Sequence, residues 1–167
     1  MSRVRFYSDN RTKIIVLVSL LYLFFIISFV LPLLFVKYLS FSGLGTFFIE
    51  NRYYGFISLV ILLYFIIVGE YYYIIKLDPY SIQVTSYRPI IDFFRKKDSI
   101  DISHSMLDSY SFFNRSYSFN KTLMIRVRKS SGKKIIKRFE LSLIGGQEVK
   151  KISNIFDDIV KKNNIHE

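Results

Sequence analysis

Hydrophobic side chains fill one unbroken stretch close to the N-terminus of this chain. Residues 14–36 carry no charge, and nineteen of these 23 residues are Leu, Ile, Val or Phe. A helix of that length measures roughly 34 Å, which is enough to cross a hydrocarbon core of about 30 Å. A helix in a soluble core shows a polar stripe, which this stretch lacks. The pattern predicts a first transmembrane helix over residues 14–36, in which Pro32 kinks the helix or loosens its end.

A second apolar run extends from Tyr53 to Gly69 and is followed by Glu70 and three tyrosines. We predict a second transmembrane helix and its tyrosine belt over residues 53–73, separated from the first by an extracytoplasmic loop over residues 37–52. Glu70 is a candidate polar site in or at the membrane. It is either a proton or ion site or a carboxylate at the headgroup level beside the tyrosines. We favour the second interpretation because the first span offers no charged partner.

Basic residues are distributed unevenly around the two runs. Four lie in residues 1–13, two lie in the loop between the runs, and five follow within residues 74–97. Lys and Arg concentrate on the cytoplasmic side of membrane proteins. We therefore expect a multi-pass protein of the cell (inner) membrane with both termini cytoplasmic: a basic N-terminus over residues 1–13 and a domain over residues 74–167. The first run exceeds the length of a secretory signal and lacks a small-residue cleavage site, which indicates an uncleaved anchor.

After the second run the hydrophobic period becomes an alternation typical of strands. The predicted strands cover residues 72–77, 82–87, 123–127 and 139–143, with turns over 78–81 and 129–133 and a short helical turn over 104–108. Residues 91–97 and 99–103 are predicted as a further strand pair or as one long bent strand. Residues 109–120 are less regular, which leaves the strand count at six or seven. The last segment shows helical spacing and predicts one amphipathic helix. Its apolar stripe comprises Val149, Ile152, Ile155, Phe156, Ile159 and Val160.

The order of these elements is similar to that of a known family. Ile74-Ile-Lys-Leu-Asp-Pro-Tyr-Ser-Ile-Gln-Val84 has the strand, acidic turn and strand that open a pleckstrin-homology-like (PH-like) domain. Residues 94–102, the hairpin around Gly132 and the closing helix match in order. The chain resembles bacterial PH-like membrane proteins, which carry two spans ahead of such a domain. The resemblance implies a membrane α-helical hairpin followed by a small α+β, mainly antiparallel β, PH-like domain with a C-terminal amphipathic helix.

Composition limits the chemistry that this chain can perform. It has no Cys, which excludes disulfides, thiolate metal sites and cysteine nucleophiles. The two histidines, His104 and His166, belong to no recognisable catalytic pattern, because a triad is assembled by the fold and not by neighbouring residues. Asp98, Asp101 and Asp108 match no metal-binding loop. We therefore expect a protein that is not an enzyme, with no catalytic residue, no metal and no cofactor.

The net charge of +11 has two interpretations. A Lys-rich, Ala-free composition is typical of an AT-rich genome, and a solvated basic face is the interpretation we favour. The alternative is contact with anionic lipid through two basic clusters. The candidate residues are Arg95, Lys96, Lys97, Lys133 and Lys134. The short acidic turn at 78–80 argues against a phosphoinositide pocket.

Residues 112–119 interleave aromatic side chains with Arg115, a pattern that can stack on nucleic-acid bases. The chain lacks the aromatic-glycine signature of an RNA-recognition sheet, so we expect these rings to fill the core and we expect no nucleic-acid partner.

Together these features predict a non-catalytic, membrane-anchored binding module. Its partners would be the lipid bilayer and one or more membrane proteins, for which it would be an adaptor or accessory subunit of a larger inner-membrane complex. Two alternatives remain. One is a minor component of a channel or transporter, suggested by Glu70 and Pro32, although two helices cannot enclose a pathway without further subunits. The other is an anchor that responds to the lipid surface.

Overall fold

A computed structural model of the protein describes residues 6–33, 43–50, 53–88, 98–116, 118–129 and 132–165. These residues form two compact units. The helical unit spans Thr12–Gly69, and the sheet unit combines the residues up to Arg11 with those from Glu70 onward. Two antiparallel sheets, a long apolar N-terminal helix and a C-terminal helix are present, which agrees with the predicted combination of helices and sheets.

The helical unit begins with a long apolar helix. Helix α1 (Arg11–Phe25) continues through a π-helical segment (Ile26–Val30) to Leu33, the last described residue of this range. The wider π pattern lies directly before Pro32, which has no amide hydrogen to donate. The hydrogen-bond pattern of the helix is thus irregular in the turn before Pro32. Within the described ranges, Arg11–Leu33 is the one helix that is both long and apolar enough to cross a membrane.

Two further helices, α2 (Gly43–Glu50) and α3 (Tyr53–Val68), complete this unit. Helix α3 is apolar but has only 16 residues. It packs against the π-helical segment at Gly55, where an added Cβ would lie 2.9 Å from the carbonyl oxygen of Ser28. Ser58, one turn further along, is buried and donates a hydrogen bond to the Gly55 carbonyl at 2.7 Å. Small residues therefore allow two apolar helices to approach closely.

The first sheet combines one strand that precedes the helical unit in the chain with three strands that follow it. Strand β1 (Phe6–Asp9) pairs antiparallel with β2 (Tyr72–Leu77), and Phe6 lies opposite Leu77. Strands β3 (Ser81–Tyr87) and β4 (Asp98–Ser103) follow, which gives the order β1-β2-β3-β4. The hydrophobic pattern predicts β2, β3 and β4 within a few residues. It does not predict β1, because residues 1–13 read as a basic tail.

The second sheet has the order β5-β6-β7, formed by β5 (Leu107–Asn114), β6 (Asn120–Arg128) and β7 (Lys134–Ser142). A 3₁₀ turn over His104–Met106 leads into β5, within the predicted helical turn. The register between β5 and β6 shifts between Leu107 and Ser109. This bulge explains why the start of β5 lacks clean alternation. The parts of the chain that the structure describes contain seven strands.

Helix α4 (Gly146–Ile165) covers the core with the predicted apolar stripe. Ile152, Phe156 and Ile159 are buried, and the Phe156 ring lies 5.0 Å from the ring of Tyr110 in β5. Asn163, in the last turn of this helix, donates hydrogen bonds from its side chain to the backbone carbonyls of His104 and Leu107. The other buried apolar residues of the sheet unit are Tyr73, Ile75, Leu77, Ile82, Val84, Ile102, Leu107, Leu123, Ile125, Val127, Phe139, Leu141 and Ile144.

The end of the second apolar segment differs from the predicted boundary at residue 73. Helix α3 ends at Val68, and Gly69 follows with a φ of 78°, a conformation that favours glycine at a helix C-terminus. Tyr72 and Tyr73 belong to β2. Tyr73 is fully buried in the core, so it is not part of a tyrosine belt. From Tyr72 to Leu77 the side chains alternate between half-buried and buried positions, as they do in a strand.

Candidate functional site at the junction end of the sheet unit

The chain leaves the sheet unit after Arg11 and returns to it at Glu70, at one end of the first sheet. We call this the junction end and define it by Asn10, Tyr71, Asn120 and Ser142. Asn10 is 1% exposed and makes three hydrogen bonds with its side chain. Its Nδ2 donates to the carbonyls of Tyr71 and Ser142, both at 2.8 Å, and its Oδ1 accepts from the Tyr73 amide at 2.9 Å. A single side chain therefore holds both ends of the interrupted sheet unit together.

Ser142, at the end of β7, extends this network to the second sheet. Its Oγ accepts a hydrogen bond from the Tyr71 amide at 2.7 Å and donates one to Asn120 Oδ1 at 2.6 Å. Ser86 Oγ in β3 donates to the Glu140 carbonyl at 2.6 Å, which gives a further link between the sheets. Buried polar groups that are fully paired favour one geometry. This network fixes the two sheets relative to one another. It also fixes the two points at which the chain leaves and re-enters this unit.

Tyr73 extends the hydrogen-bond network of Asn10 into the core next to β1. Its hydroxyl lies 3.4 Å from Ser8 Oγ and 3.4 Å from Glu148 Oε2 on the first turn of α4. Burial raises the pKa of Tyr73 to about 12. The hydroxyl therefore stays protonated and acts as a structural donor at neutral pH.

Aromatic and basic side chains surround the junction end. The guanidinium of Arg88 lies 5.5 Å from the centroid of the Tyr71 ring, a cation–π distance. Tyr72 and Tyr87 lie opposite each other in β2 and β3, with ring centroids 4.9 Å apart in an edge-to-face arrangement. Amphipathic rings of this kind are enriched at membrane–water interfaces.

The last residues of β5 and the connection to β6 add two exposed rings, Phe113 and Phe119, to the same end. The Leu143 amide donates to the Phe119 carbonyl, and the Arg115 amide donates to the Asn120 carbonyl, so both ends of the connection lie beside the Asn10 network. Phe113 is 50% exposed and Phe119 is 65% exposed. The prediction that residues 112–119 fill the core is correct for Phe112, which packs on it, but wrong for Phe113 and Phe119. Sheet register decides this, because Phe112 faces inward and Phe113 faces outward.

Glu70 follows the end of α3 by two residues and is buried, with 9% of its surface exposed. None of the described residues donates a hydrogen bond to either carboxylate oxygen. Burial raises the pKa of Glu70, since a carboxylate without donors is less stable than the neutral acid in a poorly hydrated position. The candidate polar site of the sequence is therefore a buried acid that keeps its proton to higher pH than an exposed glutamate.

The two predicted basic clusters have different positions. Lys133 and Lys134 lie at the tip of the β6–β7 hairpin, eight residues along β6 from the junction end, or about 27 Å in an extended strand. Lys134 Nζ lies 2.9 Å from Asp108 Oδ1, and Arg128 Nη2 lies 2.7 Å from the same oxygen. The hydrogen bonds from Arg128 and Lys134 hold the pKa of Asp108 below its usual value. Arg95, Lys96 and Lys97 lie outside the described residues.

His104, one of the two histidines of the sequence, lies next to a small cavity. His104 Nε2 is buried without a hydrogen-bond partner among the described residues, beside a cavity of about 100 Å³. The cavity is lined by Pro79, His104, Asp158, Ile159, Lys162 and Asn163. None of these residues is a nucleophile held by a base, and the described parts of the chain contain no cluster of three metal-ligating side chains.

Comparisons with protein-family models, with curated proteins and with solved structures found no match. The function is therefore inferred from the sequence pattern and from the geometry of the two units.

Proposed function

We propose that the protein is a non-catalytic binding module held in the cell membrane by a helical hairpin. One observation carries this proposal: α1 and α3 expose large apolar side chains along their whole length. Leu20, Leu23, Val60 and Ile67 are 53–76% exposed, and only 6% of the most apolar window of Arg11–Leu33 is buried. A soluble monomer rarely exposes so large a contiguous apolar surface. A hydrocarbon environment would cover it.

Strand pairing supports an even number of membrane crossings. Strand β1 precedes α1, strand β2 follows α3, and the two strands are hydrogen-bonded neighbours. Two paired strands must lie on the same side of a membrane. If α1 crosses, a second segment between Leu33 and Tyr72 must cross back, and α3 is the apolar helix available for this. Thinning of the bilayer and flanking aromatic residues accommodate a helix of 16 residues.

The distribution of Lys and Arg along the chain favours a cytoplasmic location for both termini. Two antiparallel sheets closed by a C-terminal helix support the PH-like assignment. The unit offers sheet edges to an extended peptide, a common mode of protein recognition. We propose an adaptor or accessory subunit that presents this unit beside the membrane to a membrane-protein partner.

Extraction of membranes tests the proposal. We expect the full chain to stay in the pellet after an alkaline carbonate wash and to dissolve only with detergent. The double variant Leu20→Arg, Leu23→Arg should move largely to the supernatant or be degraded, because each arginine near the centre of a span costs about 3 kcal/mol. The matched control Tyr80→Arg changes an exposed turn of the sheet unit and should stay in the pellet.

A wild-type chain that dissolves in carbonate without detergent would contradict membrane anchoring. Purification in mild detergent then tests the accessory role: a stoichiometric membrane-protein partner supports it, and an isolated monomer contradicts it.

A further inference from the structure

Two exposed phenylalanines remain without a role in the binding module described above. Phe113, near the end of β5, and Phe119, directly before β6, flank an exposed arginine, Arg115, in the connection between the two strands. They belong to the junction end through the backbone bonds of the connection to Asn120 and Leu143. A solvent-exposed phenylalanine at 65% exposure leaves most of a large apolar ring in water. Such rings at one end of a fold mark a contact surface.

We propose that Phe113 and this connection, together with Arg88 at the same end of the sheet unit, dock on the anionic headgroups of the leaflet in which the chain is anchored. The inference rests on the proposed membrane anchoring. Phe113 and Phe119 would enter the interface between headgroups and acyl chains, and Arg115 and Arg88 would contact phosphate groups. Amphipathic surfaces of this composition bind membranes through apolar burial combined with attraction to anionic lipid.

The junction end lies beside the two links between the sheet unit and the helical unit. This position favours a bilayer over another protein as the binding partner of the exposed rings. Asn10 and Tyr71, the residues next to the two crossings, share one hydrogen-bond network with Asn120 and Ser142. Phe119 adjoins Asn120 in sequence, so its ring is attached close to the two points where the chain leaves and re-enters the sheet unit. Because the sheet unit is tethered there, docking would be an intramolecular step with a high effective concentration of lipid. Weak contacts are then sufficient.

Charge at this end is compatible with an anionic surface. Arg115 is exposed, and Arg88 lies over the Tyr71 ring. Acidic residues also lie at the same end, and one of them, Glu70, is buried. Asp9 accepts hydrogen bonds from Tyr7 and from the Arg11 amide, whereas Asp98 is exposed at the start of β4. A basic residue close to an anionic membrane contributes about fivefold to the ratio of docked to undocked protein.

Tryptophan fluorescence can measure this docking directly, because the chain contains no Trp. The variant Phe119→Trp places a single reporter at the junction end, and Phe113→Trp is a second reporter if the first disturbs the fold. The matched control Tyr80→Trp lies in the β2–β3 turn, 80% exposed, at the opposite end of the first sheet. Each full-length variant is reconstituted into nanodiscs with lipids brominated on the acyl chain, containing either anionic phosphatidylglycerol or phosphatidylcholine alone.

We expect bromine to quench the indole of the Phe119→Trp variant strongly in anionic discs and less in zwitterionic discs. The indole of the Tyr80→Trp control should be quenched in neither. Adding Arg115→Gln to Phe119→Trp should lower the docked-to-undocked ratio about fivefold, whereas Arg126→Gln on the outer face of the second sheet should leave it unchanged. High salt should weaken quenching in anionic discs.

Two results would overturn the inference while leaving the membrane anchor intact. One is stable incorporation into discs with the Phe119→Trp reporter no more quenched than the Tyr80→Trp control. The other is a blue shift of the Phe119→Trp emission only in native membranes, without quenching in lipid discs, which would indicate a protein occupant. Failure of the full chain to enter discs or carbonate-washed membranes would instead contradict the proposed function.

Discussion

Replacing Asn10 by alanine is expected to lower the free energy of unfolding of the sheet unit by about 3 kcal/mol or more. The change leaves the carbonyls of Tyr71 and Ser142 and the amide of Tyr73 without the partners that they have at 2.8–2.9 Å. A buried polar group left unpaired costs about 1–3 kcal/mol, and three such groups are affected. Water that enters the site would reduce the loss, so we take the lower end of this range for each group.

Urea denaturation of the full chain in nanodiscs, followed by pulse proteolysis, measures this effect. Asn114→Ala is the matched control, because Asn114 lies exposed at the end of β5. The control should change the midpoint little, as surface substitutions usually do. If Asn10→Ala and Asn114→Ala unfolded at the same urea concentration, the network at the junction end would not hold the sheet unit together.

The second large effect is expected at the contact between α4 and the sheets. Phe156→Ala should destabilise the sheet unit by about 3–5 kcal/mol, the usual cost of removing a buried phenylalanine from a packed core. Phe156 is fully buried, and its ring meets Tyr110 edge to face at 5.0 Å. A unit of this size has a total stability of about 5–15 kcal/mol, so the variant should be partly unfolded at 37 °C.

Protease resistance and circular dichroism in the same nanodiscs measure the loss. Ile165→Ala, at the exposed end of the same helix, is the control and should retain the wild-type midpoint. Equal stability of the two variants would show that α4 does not complete the core.

The longer strands and α4 could be predicted from the sequence because their periods are local. Ile82 and Val84 alternate with polar residues, and Ile152 and Phe156 recur at helical spacing, so a window of ten residues contains the signal. The packing that follows also confirms these predictions: the same residues are buried.

Strand β1 and the junction end could not be predicted in this way. Phe6–Asp9 has four residues and no alternation that distinguishes it from a charged tail, and its partner strand lies more than 60 residues away. In the sequence, Asn10 is not distinguishable from other polar residues that precede an apolar helix. Its three hydrogen-bond partners lie in β2, in β7 and at the residue before β2, all far away in the chain. The exposure of Phe119 depends on which way the chain turns after β5, and residue type carries no information about that.

Labelling of single introduced cysteines can test directly whether the chain crosses the membrane an even number of times. Each label is unambiguous because the chain has no Cys of its own. Tyr7→Cys in β1, Tyr80→Cys in the β2–β3 turn and Glu50→Cys at the end of α2 place exposed thiols before, after and between the apolar helices. A membrane-impermeant maleimide applied to intact cells should label the Glu50→Cys variant alone, and the other two variants should react only after permeabilisation. Labelling of Tyr7→Cys and Tyr80→Cys from opposite sides of the membrane would contradict the paired strands and the hairpin together.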